Sequence, residues 1–159
     1  MDDRHSLALL DVRQKSVLDI GSDVVADAVR RGARSSTGLY MFHAVVEYYR
    51  IFLSCQNLEA DIHYARFSYE DGVIECPLSV LRSEYDVTVC IRYDHCVNDL
   101  TDFYERLYHF TGETMLFASS MLTQEIAQSR LREAGFSDTR PINDELLIAR
   151  VGDDKWISL

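Results

Sequence analysis

Among its 159 residues the sequence holds only two prolines and seven glycines. That is too few for a proline-rich linker, a collagen-like repeat or a low-complexity tract. No stretch approaches the roughly 20 apolar residues of a membrane-spanning helix. The start, Met1-Asp2-Asp3-Arg4, leads with acids and precedes only a short apolar patch, so it lacks the basic and apolar regions of a secretory signal. The cysteines Cys55, Cys76, Cys90 and Cys96 include no C-x-x-C pair and read as reduced thiols, which implies a cytoplasmic setting. A zinc site can be drawn from Cys90, Cys96, His95 and His109, but the spacing matches no recurrent ligand pattern. Packing thiols and surface histidines are the expectation, with no metal. Positive charge is also scarce, with 16 Lys and Arg against 26 Asp and Glu, a net of −10. Such a chain repels a nucleic acid or an anionic membrane over a Debye length of about 8–10 Å, so neither is an expected partner.

What is present is apolar and aromatic. A hydrophobic share of 47% with 11% aromatics is globular, and the length suits one domain spanning 1–159 with its own core. The apolar run at 6–14 reads as a first strand. Ser22 and Asp23 offer an N-cap to a helix carrying Val24, Val25, Ala28 and Val29, which Arg30-Arg31-Gly32 closes. "LYMFHAVVEYYRIFLSC", residues 39–55, spaces Met41, Val45, Tyr49 and Phe52 as a buried helix.

From residue 60 the period falls to two, and Asp71-Gly72 is the dipeptide that best tolerates the positive φ angles of a tight hairpin turn. "YDVTVCIRY", 85–93, alternates along a long strand, with Tyr85, Val87, Val89, Ile91 and Tyr93 on a core face and Asp86, Thr88, Cys90 and Arg92 on a wetter one. A helix over 98–110 places Asn98, Asp99 and Asp102 at its start and buries Leu100, Phe103, Tyr104 and Leu107. "TMLFA" (114–118) is a buried strand. Thr123 caps a helix with an inner stripe of Ile126, Ala127, Leu131 and Ala134. Gly135 ends it, Phe136 returns the chain to the core, and "ELLIARV" (145–151) is the last strand. The fold class is therefore mixed α/β, with Val87, Val89, Ile91, Leu116 and Ile148 in the core of a mainly antiparallel sheet flanked by helices.

The order strand, helix, helix, hairpin, long strand, helix, strand, helix, strand resembles that of the GNAT N-acetyltransferase superfamily. Its fourth helix often ends in N-x-x-A-x-x-x-Y-x-x-x-G-F, matched here by Gln124, Ala127, Leu131, Gly135 and Phe136, and "EDGVIE" is similar to the hairpin of its second and third strands, which often turns at D-G. The resemblance covers nearly the whole chain and implies an α+β domain. It also implies two departures. Leu131 stands where a proton-donating tyrosine is usual. "YDHCVNDLTDFYERL" replaces the glycine-bearing loop that cradles coenzyme A phosphates, with Asp94, Asp99, Asp102 and Glu105 ahead of the first cation, Arg106. What cofactor contact remains falls to Asn98 and Gln124.

The expectation is a degenerate, cofactor-free GNAT-like module for interaction or structure, of the sort found in phage virion proteins. The alternative is an acetyl-CoA-dependent N-acetyltransferase acting on a basic amine. For that chemistry Glu75, Glu84 and Asp86 are the candidate bases, with His63 and His95 as substitutes. For the non-enzymatic reading, Tyr40, Phe42, Tyr48 and Tyr49, with Phe52, exceed what one helix face can hide. They mark a surface for a protein partner or self-association.

Overall fold

A computed structural model describes residues 7–67 and 74–156. Its centre is a seven-stranded sheet in the order β3-β2-β1-β4-β5-β7-β6. The strands are β1 (Ser16–Ile20), β2 (Ser35–Tyr40), β3 (Asp61–Tyr64), β4 (Tyr85–Ile91), β5 (Thr111–Ala118), β6 (Asp138–Pro141) and β7 (Leu147–Arg150). The first five run parallel, and β7 lies antiparallel between β5 and β6. The helices are α1 (Val25–Arg30), α2 (His43–Cys55), α3 (Leu78–Leu81), α4 (Leu100–Phe110) and α5 (Gln124–Ala134).

This is a mixed α/β architecture, but the expected mainly antiparallel, GNAT-like sheet is corrected. Helices separate most of the successive strands, and a crossover through a helix returns the chain parallel to where it started. Parallel strands bury both faces. Leu18, Ile20, Cys90, Met115 and Phe117 pack beneath α4 and α5, while Val17, Val87, Val89, Ile91 and Leu116 fill the opposite core. The wetter face expected for the strand at 85–93 is therefore absent at Thr88 and Cys90, both fully buried. Tyr85 and Tyr93 pack in the same core as Cys90, across the sheet from Val87 and Val89, because the β4–β5 register shifts between Tyr85 and Val87 and Arg92 adopts φ +58°. The named core residues Val87, Val89, Ile91 and Leu116 are buried, and Ile148 is partly so.

Other boundaries shift for local reasons. Leu7–Leu9 form a 3₁₀ turn rather than a strand, and Leu7 and Val12 close the apolar layer beside β1. The stretch "RSSTG" reads as a chain break, yet most of it lies in β2. Small residues suit a strand under a close helix, and Ser36 Oγ donates to the Val25 carbonyl at 3.0 Å. The helix read from residue 39 consequently starts at His43. The Asp71-Gly72 turn lies outside the described residues. Beside it, Arg66 and Glu75 exchange antiparallel backbone hydrogen bonds of 2.7 and 3.1 Å.

The α5 signals act as read. The Thr123 side chain accepts from Ile126 N, and Gly135 at φ +123° ends the helix with a Tyr108 ring atom only 2.9 Å from where a Cβ would sit. The helix buries Ala127 and Leu131, while Ile126 is exposed.

At the centre of β4, Thr88 Oγ1 is buried with no hydrogen-bond partner among the described residues. An unmet hydroxyl in the core costs free energy, and valine has nearly its shape. Thr88→Val is expected to stabilise the fold by about 1 kcal/mol, read as a higher midpoint in chemical denaturation with unchanged slope. A loss of stability would show that the hydroxyl is satisfied in solution.

Candidate functional site

The sheet order reverses at β1: the chain leaves it for β2 and β3 on one side and then returns to β4 and β5 on the other. Open α/β sheets bind ligands at that switch point, outside the carboxyl ends of the strands. Here a cavity of about 560 Å³ opens there, floored by the β1–α1 loop and walled by the segments that follow β2 and β4.

The floor is organised by Asp19, the last polar residue of β1, which has no solvent exposure. Its carboxylate accepts backbone N–H bonds from Ser22 (2.8 Å), Val24 (2.9 Å) and Val25 (3.1 Å). It thereby serves the start of α1, where Val24 offers no side-chain cap and the expected cap from Ser22 or Asp23 is not made. A fourth donor is the Tyr40 hydroxyl, 2.8 Å away at the end of β2. Gly38, paired with Asp19 across the sheet, makes that reach possible. A Cβ there would stand 2.7 Å from the Tyr40 ring.

Tyr40 stacks on Tyr49 of α2 with ring centroids 4.7 Å apart, and Asp23 lies close to the Tyr49 phenol. Burial raises the pKa of both phenols far above the ordinary range, and the neighbouring acids add to it. Gly21 (φ +65°), Asp23 (φ +60°) and Arg92 (φ +58°) all hold left-handed backbone around the cavity, which for Asp23 and Arg92 is strain concentrated at one site.

A second cavity of about 390 Å³ adjoins the ends of β4, β5 and β7, and Arg92 borders both. Arg92 is ion-paired to Glu145 at 2.5 Å. Between the two cavities lies a polar bolt. Buried Asp94 accepts from Ser119 Oγ, from Ser120 N at 2.8 Å and from Ser120 Oγ at 2.7 Å, tying the β4 exit to the β5 exit. Ser120 Oγ also lies 3.3 Å from Nδ1 of His95, which lines the first cavity.

The residues singled out from sequence are distributed unevenly about this geometry. Glu84, ion-paired to Lys155 at 3.1 Å, and Asp86, which accepts from Ser16 N at 2.7 Å and from Arg34, lie at the amino end of β4, away from both cavities. Glu75 is exposed beside the bridge to Arg66, and Asn98 is exposed just before α4. Gln124 does line the second cavity, where its amide donates to the Asn143 carbonyl at 2.7 Å. Of the aromatic set, Tyr40 and Tyr49 are buried, and Phe42 and Tyr48 are about three-fifths exposed. His95 reaches the site, whereas Asp19, Tyr93 and Ser120 went unmarked. The run "VLDIGSD", an acid closing an apolar strand just before a glycine, is the signal that would have found the floor.

No protein-family model matches the sequence, and no curated protein matches it. Solved structures do. The chain is similar to an S-adenosylmethionine dependent methyltransferase from Mesorhizobium loti, with TM-score 0.73 and 12% identity over 94% of this chain and 98% of that one. It is also similar to a SAM dependent methyltransferase from Aquifex aeolicus, with TM-score 0.71 and 10% identity over 94% and 88%. A putative S-adenosylmethionine dependent methyltransferase from Listeria monocytogenes aligns at TM-score 0.61 and 14% identity over 96% and 99%. The likeness is one of fold, and it overturns the resemblance to N-acetyltransferases along with both functions drawn from it, the degenerate module and the acyl-CoA enzyme. The cofactor expectation falls with them. The glycine loop follows β1 rather than the long strand, and these similar structures are named for S-adenosylmethionine, not for acetyl-CoA.

Burial pushes the Asp19 carboxyl from its ordinary 3.8 up to about 6, and hydrogen bonds from Ser22, Tyr40 and Val24 hold it from going higher. A carbon-13 carboxyl titration should show that midpoint, and Tyr40→Phe should raise it. The folded pKa exceeds the unfolded one, so this group's contribution to stability falls as pH rises from about 4 to about 6 and is level beyond. A midpoint near 4 would mean that the loop admits water.

Proposed function

We propose that this chain binds S-adenosylmethionine in the first cavity and transfers its methyl group to an acceptor seated in the second. The observation that carries this reading is the amphipathic cavity at the switch point, floored by the loop that Asp19 holds, in a chain whose fold is that of methyltransferases along nearly its whole length. The size suits a nucleoside-sized ligand. Met41, Phe42 and Val45 supply an apolar wall for a purine, and Arg92 and Asp23 supply opposite charges for an amino-acid end. When bound, the ligand supplies an electrophilic methyl group on a sulfonium.

One departure bears on affinity. Nucleotide-binding α/β folds usually place an acid about 20 residues beyond the first glycine of the loop to hold the ribose hydroxyls. Here Tyr40 stands 19 residues after Gly21, its hydroxyl committed to Asp19. No acid then stands at the ribose position, and the one acid of the lining among the described residues, Asp23, serves the amino-acid end. The protein's share of the work is to fix the loop, match the zwitterion and keep the two reactants adjacent.

Calorimetric titration with S-adenosylmethionine and S-adenosylhomocysteine should give saturable one-site binding in the micromolar range, about −8 kcal/mol. Val45→Trp, which fills the apolar wall, should abolish it while leaving the melting temperature within a few degrees. Absence of binding to the wild-type chain at millimolar ligand would remove the proposal.

A further inference from the structure

We infer that His95 is the proton acceptor of the reaction, held as a base by a relay from Asp94 through Ser120, and that the methyl acceptor is therefore a nucleophile bearing an N–H or O–H proton. The inference rests on the proposed methyl transfer for its chemistry, but its geometry stands independently.

The relay is fixed by counting protons. Asp94 is buried, and its carboxylate oxygens only accept. Ser120 Oγ, 2.7 Å from Asp94 Oδ1, has one proton and directs it there. With that proton given to Asp94, Ser120 Oγ offers His95 only lone pairs, and the 3.3 Å contact is then met by an Nδ1–H donor. The neutral ring then carries its hydrogen on Nδ1 and leaves Nε2 with a free lone pair. Ser120 is anchored beside Asp94 through its own N–H as well, at 2.8 Å. Ser119 reinforces the bolt by donating to Asp94 while accepting from Leu122 N at 2.8 Å.

The placement matches the task. His95 borders the first cavity, Ser120 borders the second, and Arg92 borders both, so the imidazole stands at the junction where donor and acceptor would meet. In the step, the acceptor's N–H or O–H bond breaks and the proton passes to His95 Nε2, giving an imidazolium whose Nδ1–H still points at Ser120. The acceptor atom's electron pair forms the new bond to the methyl carbon, and the electron pair of the broken carbon–sulfur bond stays on sulfur, yielding a thioether. A nucleophile without a removable proton would need none of this apparatus.

The test reads the tautomer of His95 directly. Long-range proton–nitrogen-15 correlation spectra of the ligand-free protein at pH 8, with His95 assigned through His95→Gln, should show the Nδ1–H form. Ser120→Ala should move the ring toward the Nε2–H form, and Ser120→Thr, which keeps a hydroxyl, should restore Nδ1–H. An Nε2–H ring in the wild-type protein, or spectra indifferent to Ser120→Ala, would overturn the relay. Binding of S-adenosylhomocysteine, measured on the same samples by calorimetry, should be unchanged within twofold in Ser120→Ala. Failure of binding in every sample would sink the methyltransferase reading while leaving the tautomer result to stand or fall on its own.

Discussion

Asp19 is a carboxylate enclosed by protein on all sides, and the local structure follows from what it takes to keep it there. Removing such a group from water costs several kcal/mol unless its oxygens are fully engaged. Three backbone N–H groups and one phenol engage them here. That set dictates the sharp turn after β1, the left-handed Gly21 and Asp23, and the start of a six-residue helix too short to hold itself. It also dictates a glycine on the neighbouring strand, because any side chain at position 38 would lift the Tyr40 ring away. The turn, the helix start and the β2 glycine are thus consequences of one desolvated charge.

The same interaction bears on the proposed binding of a nucleoside-like ligand. Where an exposed acid would face the ligand, this chain has spent the position on closing the floor. The aromatic pair Tyr40 and Tyr49 then leans on the loop from the side of α2, with Tyr40 on Asp19 of β1 and Tyr49 close to Asp23 of the loop. On the proposed reading, the acid that remains for the ligand is Asp23, on the loop itself.

How far the sequence showed this depends on what kind of information was needed. The α4, β5, α5 and β7 segments were legible because burial on one or both faces leaves a local period, and Gly135-Phe136 and Thr123 mark helix ends by backbone chemistry alone. Strand direction was not legible. Val87, Val89 and Ile91 alternate with Thr88 and Cys90 whether the neighbour runs parallel or antiparallel, and the hydroxyl and thiol hide the burial of the second face. The edge strand β6, four residues with two charges and a proline, carries almost no apolar signal. The order of elements therefore fitted a second architecture equally well. The site suffered for the same reason. Carboxylates were sought along the long strand, and Glu84 and Asp86 stand at its amino end, while the carboxyl end is furnished by residues that looked like core or caps.

The position of β1 between β2 and β4 has a kinetic side. Its contact with β2 closes a short loop, but its contact with β4 joins residues such as Ser16 and Asp86, 70 apart in the chain. Loop-closure entropy must be met before that pairing is rewarded, and parallel pairings of this span are slow to form. On a ribosome the first half of the chain can gather β1, β2 and the helices around them, yet it holds an incomplete sheet with an open edge until β4 emerges. The cavity walls that come from Arg92 onward exist only after that edge is closed. The complete cavity is thus acquired late in synthesis, and a chain cut short before β4 would present an unpaired parallel strand to the cell.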